Sequence, residues 1–213
     1  MTTLIVVRHG YSEGNREQRF VGHGDVALTE IGRAQALCTA EYLKDRKIDA
    51  IYSSDLIRAM QTAIPVAKMF GLPIHPMEEL REIFAGDWEG GVYAELYQKY
   101  PESYGKWLTD IGNAHPDGGE SVVEMAARVY AAVDRILAEN EGKCVAIFTH
   151  GTPARVLGCR WHQLPLSKAN EVPFCGNASV SIAEYDTDGT CRLLQYGYDE
   201  HQGKNATRLP ANV

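Results

Sequence analysis

No apolar run in this sequence is long enough to cross a membrane or to form the core of a secretion signal. The opening stretch, Leu4-Ile5-Val6-Val7, meets Arg8 and His9 at once. A cytoplasmic protein with no membrane contact is the expectation. Basic residues are in deficit, 21 Lys and Arg against 28 Asp and Glu, for a formal net charge of −7. That balance argues against a general affinity for nucleic acid, while leaving room for a local anion pocket. Cysteine is sparse: Cys38, Cys144, Cys159, Cys175 and Cys191 are odd in number and form no C-x-x-C pair, so neither a disulfide framework nor a zinc knuckle is implied. None is followed six positions later by arginine, which removes the Cys-x5-Arg loop of thiol phosphatases. Repeats, low-complexity tracts and linkers are also missing. What remains is ordinary globular composition, 45% hydrophobic and 23% charged, over 213 residues. A chain of that length buries roughly 70% of its unfolded surface in one core, so a single domain over residues 1–213 is expected, and disorder, collagen and coiled coil are excluded. No feature specifies an oligomeric state.

The apolar pattern alternates between strand and helix. Leu4 to Val7 reads as a strand covered on both faces. Thr29 can cap a helix from Glu30 to about Arg46, with Ile31, Ala34, Leu37, Cys38 and Leu43 near one face. Ala50 to Tyr52 forms a second strand, followed by a helix that runs to Phe70, holds Pro65 inside it and stops at Gly71. Ile74 starts another short strand. From Leu72 to Gly119 the pattern is less regular, with a helical excursion expected at about residues 83–119 over one edge of the sheet and two short helices on either side of Pro101. Ser121 and Glu124 match a capping box for a helix to about Asn140. Val145 to Phe148 is a strand, a further helix reaches Trp161, and Val180–Tyr185 with Cys191–Tyr196 close the chain as a hairpin. This alternation predicts a three-layer α/β/α fold around a mostly parallel sheet.

Ligands in such sheets bind beyond the carboxyl ends of the strands. Three candidate strand ends deliver related chemistry: Arg8-His9-Gly10, then Ser53-Ser54-Asp55 with Arg58 just inside the next helix, and Thr149-His150-Gly151. Each is weak evidence alone. Together, two arginines, two histidines and a helix N-terminus suit a phosphate dianion.

These residues carry a resemblance. LIVVRHGYSEGN at Leu4 to Asn15 resembles the opening of the histidine phosphatase superfamily, the phosphoglycerate mutase-like proteins. It continues through Gly22-His23-Gly24-Asp25, Leu28-Thr29, Gly32, SSDLIRAMQTA from Ser53, LREIFAGDWEG from Leu80, GGES from Gly118, and Thr149-His150-Gly151, spanning roughly residues 4 to 185. The resemblance implies the phosphoglycerate mutase-like fold and a metal-independent phosphatase that needs no cofactor and acts on a small phosphorylated metabolite. It implies His9 as nucleophile forming a phosphohistidine, and Arg8, Arg58 and His150 as holders of the phosphoryl oxygens, with Asn15 and Gly151 adding neutral contacts. Glu82 would be the general acid and base. Taken alone, Glu82 reads as a surface carboxylate paired with Arg81, and Glu79 and Glu89 are neighbouring decoys. His23 either reaches substrate or sits in solvent. The Tyr and Trp residues between Trp88 and Trp107 either wall a pocket or fill the excursion's own small core.

A mutase is the main rival, but Tyr11 and Val21 depart from the residues common there, and the chain is short for the added shielding segment. A non-catalytic phosphate-binding module is the other. Asp186-Thr187-Asp188-Gly189-Thr190 matches the D-x-D-G-T string of aspartyl-phosphate hydrolases, but it lies between two strand-like runs and reads as a hairpin turn. Cys159 and His162 have ligand-like spacing without a partner pair, and Asn177-Ala178-Ser179 and Asn205-Ala206-Thr207 are formal glycosylation triplets.

Overall fold

A computed structural model describes residues 1–208. Its elements are β1 (Thr2–Arg8), α1 (Glu13–Arg16), α2 (Glu30–Leu43), β2 (Ala50–Ser54), α3 (Ile57–Phe70), β3 (Ile74–Met77), α4 (Tyr93–Lys99), α5 (Ser103–Thr109), α6 (Val122–Glu139), β4 (Cys144–Thr149), α7 (Gly151–Trp161), β5 (Val180–Tyr185) and β6 (Cys191–Tyr198). The strands form one sheet in the order β3-β2-β4-β1-β5-β6. Neighbours from β3 to β1 are parallel, and β5 and β6 add an antiparallel hairpin beside β1. No helix among the described residues is long and apolar enough to cross a membrane.

The strand period of two divides the core. Along β1, Ile5 and Val7 pack with Ala40, Leu43, Ala63 and Val66 of α2 and α3. Leu4 and Val6 turn the other way, to a cluster that holds Met125, Val129 and Val133 of α6 with Val156 and Leu157 of α7. Helices thus cover both faces. Burial on both sides, with hydrogen-bonded neighbours at both edges, explains why β1 reads as an unbroken apolar run.

Helix α2 begins at its Thr29 cap as expected, the Thr29 side chain accepting from the Gly32 amide. Its buried face differs from the expected one. Ile31 and Leu37 are 47% and 63% exposed, whereas Gly32, Gln35, Ala36, Thr39, Ala40 and Leu43 are buried. Small residues permit close approach: a Cβ on Gly32 would lie 2.1 Å from the Tyr11 carbonyl oxygen. The buried polar groups are satisfied, since Gln35 Oε1 accepts from the Tyr11 amide at 2.7 Å and Thr39 Oγ1 donates to the Gln35 carbonyl at 3.1 Å. Helix α3 runs through Pro65 and ends at Gly71, whose φ of 66° is the left-handed cap that glycine adopts without a Cβ clash. The capping box at Ser121 and Glu124 opens α6.

The excursion does not keep a separate core. Trp88, Tyr104 and Trp107 belong to the same cluster as Leu4 and Val6, joined by Phe20 from the loop between α1 and α2. Phe20 meets Trp107 and Trp88 edge-on at ring separations of 5.1 and 5.6 Å. Backbone bonds Phe20 N to Gly91 O and Gly90 N to Phe20 O tie that loop to the excursion. The Asp186–Thr190 string is a turn, closed by Gly189 N to Asp186 O at 3.0 Å. Tyr185 pairs with Thr2, so this turn lies at the end of the sheet opposite His9.

Candidate active site

Register builds the site. Arg8 pairs with Thr149 across β1 and β4, and Ser53 pairs with Phe148 across β2 and β4. The three polar strand ends therefore emerge side by side, with His9 N bonded to Thr149 O at 2.9 Å. The rings of His9 and His150 meet edge-on with centroids 5.2 Å apart. A pocket of about 420 Å³, including its open mouth, lies above them. Arg8, His9, Asn15, Arg58 and Glu82 line it, with Ser12 and Thr152 beside them. Its remaining wall is more apolar, formed by Phe20, Val21, Tyr93 and Trp107, with Arg19 also on the wall. The aromatic residues of the excursion thus do both jobs: Trp88 packs the core, while Tyr93 and Trp107 also face the pocket.

His9 Nδ1 lies 2.7 Å from the carbonyl oxygen of Gly10. A carbonyl only accepts, so Nδ1 carries the hydrogen and Nε2 keeps its lone pair. Burial, then the charges of Arg58 and Arg8, holds the His9 imidazolium pKa well below the ordinary histidine range, so the ring is neutral. His150 is shifted the same way, by burial first and then Arg58. It is fully buried beneath the pocket rather than on its wall, with Nε2 2.8 Å from Ser54 Oγ and Nδ1 without a partner among the described residues. Gly151 also lies off the wall, against Phe174 and the Arg8 guanidinium.

The cations are anchored by carbonyls. Arg8 Nη1 donates to Cys175 O at 2.6 Å, its Nε has no partner among the described residues, and its guanidinium lies 4.4 Å from the Phe174 ring centroid. Arg58 donates to Gly24 O at 2.7 Å and Gly22 O at 2.8 Å. Burial lowers Arg58 to about 10, which leaves it charged at neutral pH. Asn15 Oδ1 accepts from Ser12 N at 3.1 Å and Asn177 Nδ2 at 3.0 Å, so its amide nitrogen is the end left to donate.

Glu82 is half-buried and does not pair with Arg81, which binds Asp55 instead. Its Oε1 accepts from Ile83 N at 2.9 Å and its Oε2 from Thr152 N at 3.2 Å, in the first turn of α7. The decoys are engaged elsewhere: Glu79 with Arg135, and Glu89 with the His23 and Ala85 amides. His23 is neither a pocket residue nor free in solvent, because its Nε2 lies 2.9 Å from the Glu82 carbonyl and must donate to it. Cys159 is packed in the core, and among the described residues no group of three metal-ligating side chains occurs.

Sequence reasoning missed Asn177, whose Nδ2 contacts both Asn15 Oδ1 and, at 3.2 Å, the carbonyl of His9. Its only local signal was a glycosylation triplet. It also missed Phe174, Thr152 and Arg128, each distant in sequence from the groups it supports.

The buried neutral histidines predict acid sensitivity. Below about pH 6.5 the unfolded chain takes up protons that folded His9 and His150 refuse, so stability is intact above that pH and falls beneath it. Between pH 7.5 and 5.5 each ring costs about 1.4 kcal/mol. Urea unfolding at both pH values should show a pH-dependent loss about 1.4 kcal/mol smaller in His9→Ala than in the unmodified protein. Identical losses would show that His9 titrates alike in both states.

The chain belongs to the histidine phosphatase superfamily, whose branch 1 profile matches residues 4–198. Phosphoserine phosphatase 1 of Hydrogenobacter thermophilus is 30% identical over 210 residues, covering 95% of this chain and 99% of that protein. A bifunctional protein of Mycobacterium tuberculosis is 36% identical over 204 residues, 92% of this chain but 55% of its own length, so the chain spans about half of that relative. Among solved structures, Bacillus stearothermophilus YhfR superposes with a TM-score of 0.90 at 34% identity, covering 95% of this chain and 100% of that one.

Proposed function

We propose that the protein is a metal-independent phosphatase that hydrolyses small phosphomonoesters through a phosphohistidine on His9. The observation that carries this reading is the fixed His9 tautomer: Nδ1 is bonded to Gly10 O, and the unprotonated Nε2 belongs to a ring lining a pocket with Arg8, Arg58 and Glu82. His9 Nε2 attacks phosphorus, forming the N–P bond as the bond to the leaving oxygen breaks. That oxygen keeps the electron pair and takes a proton from Glu82. Water then attacks phosphorus, Glu82 accepts its proton, and the N–P electrons return to Nε2, releasing an alcohol and inorganic phosphate.

Arg8 and Arg58 neutralise charge on the non-bridging oxygens, the role a metal ion has in other phosphatases. Asn15 adds its amide N–H. His150 lies beneath these groups; its Nδ1, without a partner among the described residues, carries a hydrogen if the Ser54 hydroxyl donates to Nε2, an arrangement favoured by the Leu56 amide, which donates to Ser54 Oγ at 3.3 Å, and that hydrogen suits the phosphoryl-holding role proposed for it. Phe20, Val21, Tyr93 and Trp107 favour a compact, partly apolar leaving group, with Arg19 on the same wall able to meet an acid group on it. Burial raises the Tyr93 phenol, so it stays neutral there.

A chromogenic phosphomonoester should be hydrolysed equally fast with and without excess chelator. Activity lost in chelator and restored by magnesium would overturn the metal-independent reading. Interconversion of 3- and 2-phosphoglycerate faster than hydrolysis would make the chain a mutase, and phosphate binding with neither reaction a binding module.

A further inference from the structure

Glu82 lies in irregular backbone between the single turns Glu78–Leu80 and Gly86–Trp88, where no helix or strand ladder fixes a carboxylate. The carbonyls of this segment nevertheless have partners. Thr149 Oγ1 donates to Leu80 O at 2.7 Å. Arg128, from the middle of α6, takes three of the others: Nη1 donates to Glu79 O and Arg81 O at 2.9 Å each, and Nη2 to Glu82 O at 2.7 Å. The opposite edge of the same guanidinium grips Glu120, Nε to Oε2 at 3.0 Å and Nη2 to Oε1. Glu120 Oε1 also accepts from the Phe84 amide at 2.9 Å. One planar fork and its carboxylate thus hold residues 79–84 on both sides of Glu82.

We infer that Arg128, backed by Glu120, is a positioning residue that sets the Glu82 carboxyl for proton transfer to the leaving oxygen. Arg128 is not on the pocket wall, and its hydrogen bonds go to the carbonyls of Glu79, Arg81 and Glu82 and to the Glu120 carboxylate. It acts through the backbone of Glu82, so the inference rests on the acid role proposed above. Five directed bonds at fixed angles are a task for guanidinium, not for the point charge of lysine. This separates geometry from charge. The Arg128 cation also weighs on His150, and an effect carried by charge alone would survive replacement by lysine.

The test measures kcat/KM on two esters, an alkyl phosphate whose leaving group needs a proton and 2,4-dinitrophenyl phosphate, whose leaving group does not. That constant reports the steps through departure of the leaving group and excludes later hydrolysis of the phosphoenzyme. Arg128→Lys should lose about 30-fold on the alkyl ester and less than about threefold on the activated one. Glu120→Gln, which keeps an acceptor for Phe84 N and weakens only the grip on Arg128, should show the same bias to a smaller degree, and serves if Arg128→Lys does not fold. On the alkyl ester, Glu82→Gln combined with either substitution should be no slower than Glu82→Gln alone, because a missing acid cannot be misplaced. Equal losses on both esters, or multiplicative losses in the double variant, would overturn the positioning role. If Glu82→Gln itself slows both esters alike, the acid role falls and this inference falls with it. If Glu82→Gln discriminates and the Arg128 and Glu120 variants do not, only the positioning role is lost.

Discussion

His9→Ala is expected to lose turnover by on the order of 10⁴-fold or more while keeping its fold and its affinity for inorganic phosphate. The proposed covalent path needs a ring whose Nδ1 is bonded to Gly10 O and whose Nε2 is left unprotonated. Among the described residues no other side chain lining the pocket is an imidazole, since His150 lies buried beneath it. The fold survives because β1 is held by backbone pairing to β4 and β5 and by Leu4 to Val7, none of which alanine disturbs. Phosphate affinity survives because Arg8 and Arg58 are anchored to carbonyls, not to His9. The unmodified protein, quenched during turnover of a phosphomonoester, should carry phosphate that is stable in alkali and released by acid, as a phosphorus–nitrogen bond is. A folded His9→Ala protein within tenfold of the parent rate would overturn nucleophilic catalysis at this position.

Glu82→Gln carries the second large effect. Glutamine keeps an oxygen for one of the two amides that Glu82 accepts, Ile83 N and Thr152 N, so the segment has little reason to move. It cannot transfer a proton at useful pH. On an alkyl phosphate kcat/KM should fall about 10²- to 10³-fold, the range of a general acid. On 2,4-dinitrophenyl phosphate it should fall less than about threefold, since that anion leaves without help. Pre-steady-state traces with the activated ester should then show a burst of phenolate followed by slow turnover, because the second step still needs a base to take a proton from water. Equal slowing of both esters in kcat/KM would remove Glu82 from the acid role.

Much of the site was legible because its principal groups follow strands directly. Arg8, His9 and His150 are placed by parallel pairing that brings Arg8 opposite Thr149, so their proximity follows once the strands are recognised. The supports were not legible, because each spans a long sequence separation: Asn177 reaches Asn15 across 162 residues, and Arg128 reaches the Glu82 carbonyl across 46. No local pattern encodes such a bond. The α2 face failed for a related reason. Periodicity assigned Ile31 and Leu37 to the core, but Gln35 and Thr39 lie inside once Tyr11 and the 200–207 segment supply partners that cancel the cost of burying them.

By itself the sequence determined the strand–helix alternation, the helix caps, the chemistry at the three strand ends and membership of the histidine phosphatase superfamily, because these depend on residue type and near neighbours. Tertiary structure alone decided which face of α2 is buried, that His150 lies beneath the pocket, and that Tyr93 and Trp107 wall it. It also decided that Glu82 is held through its backbone, since each of these outcomes depends on which distant groups satisfy a buried donor or acceptor.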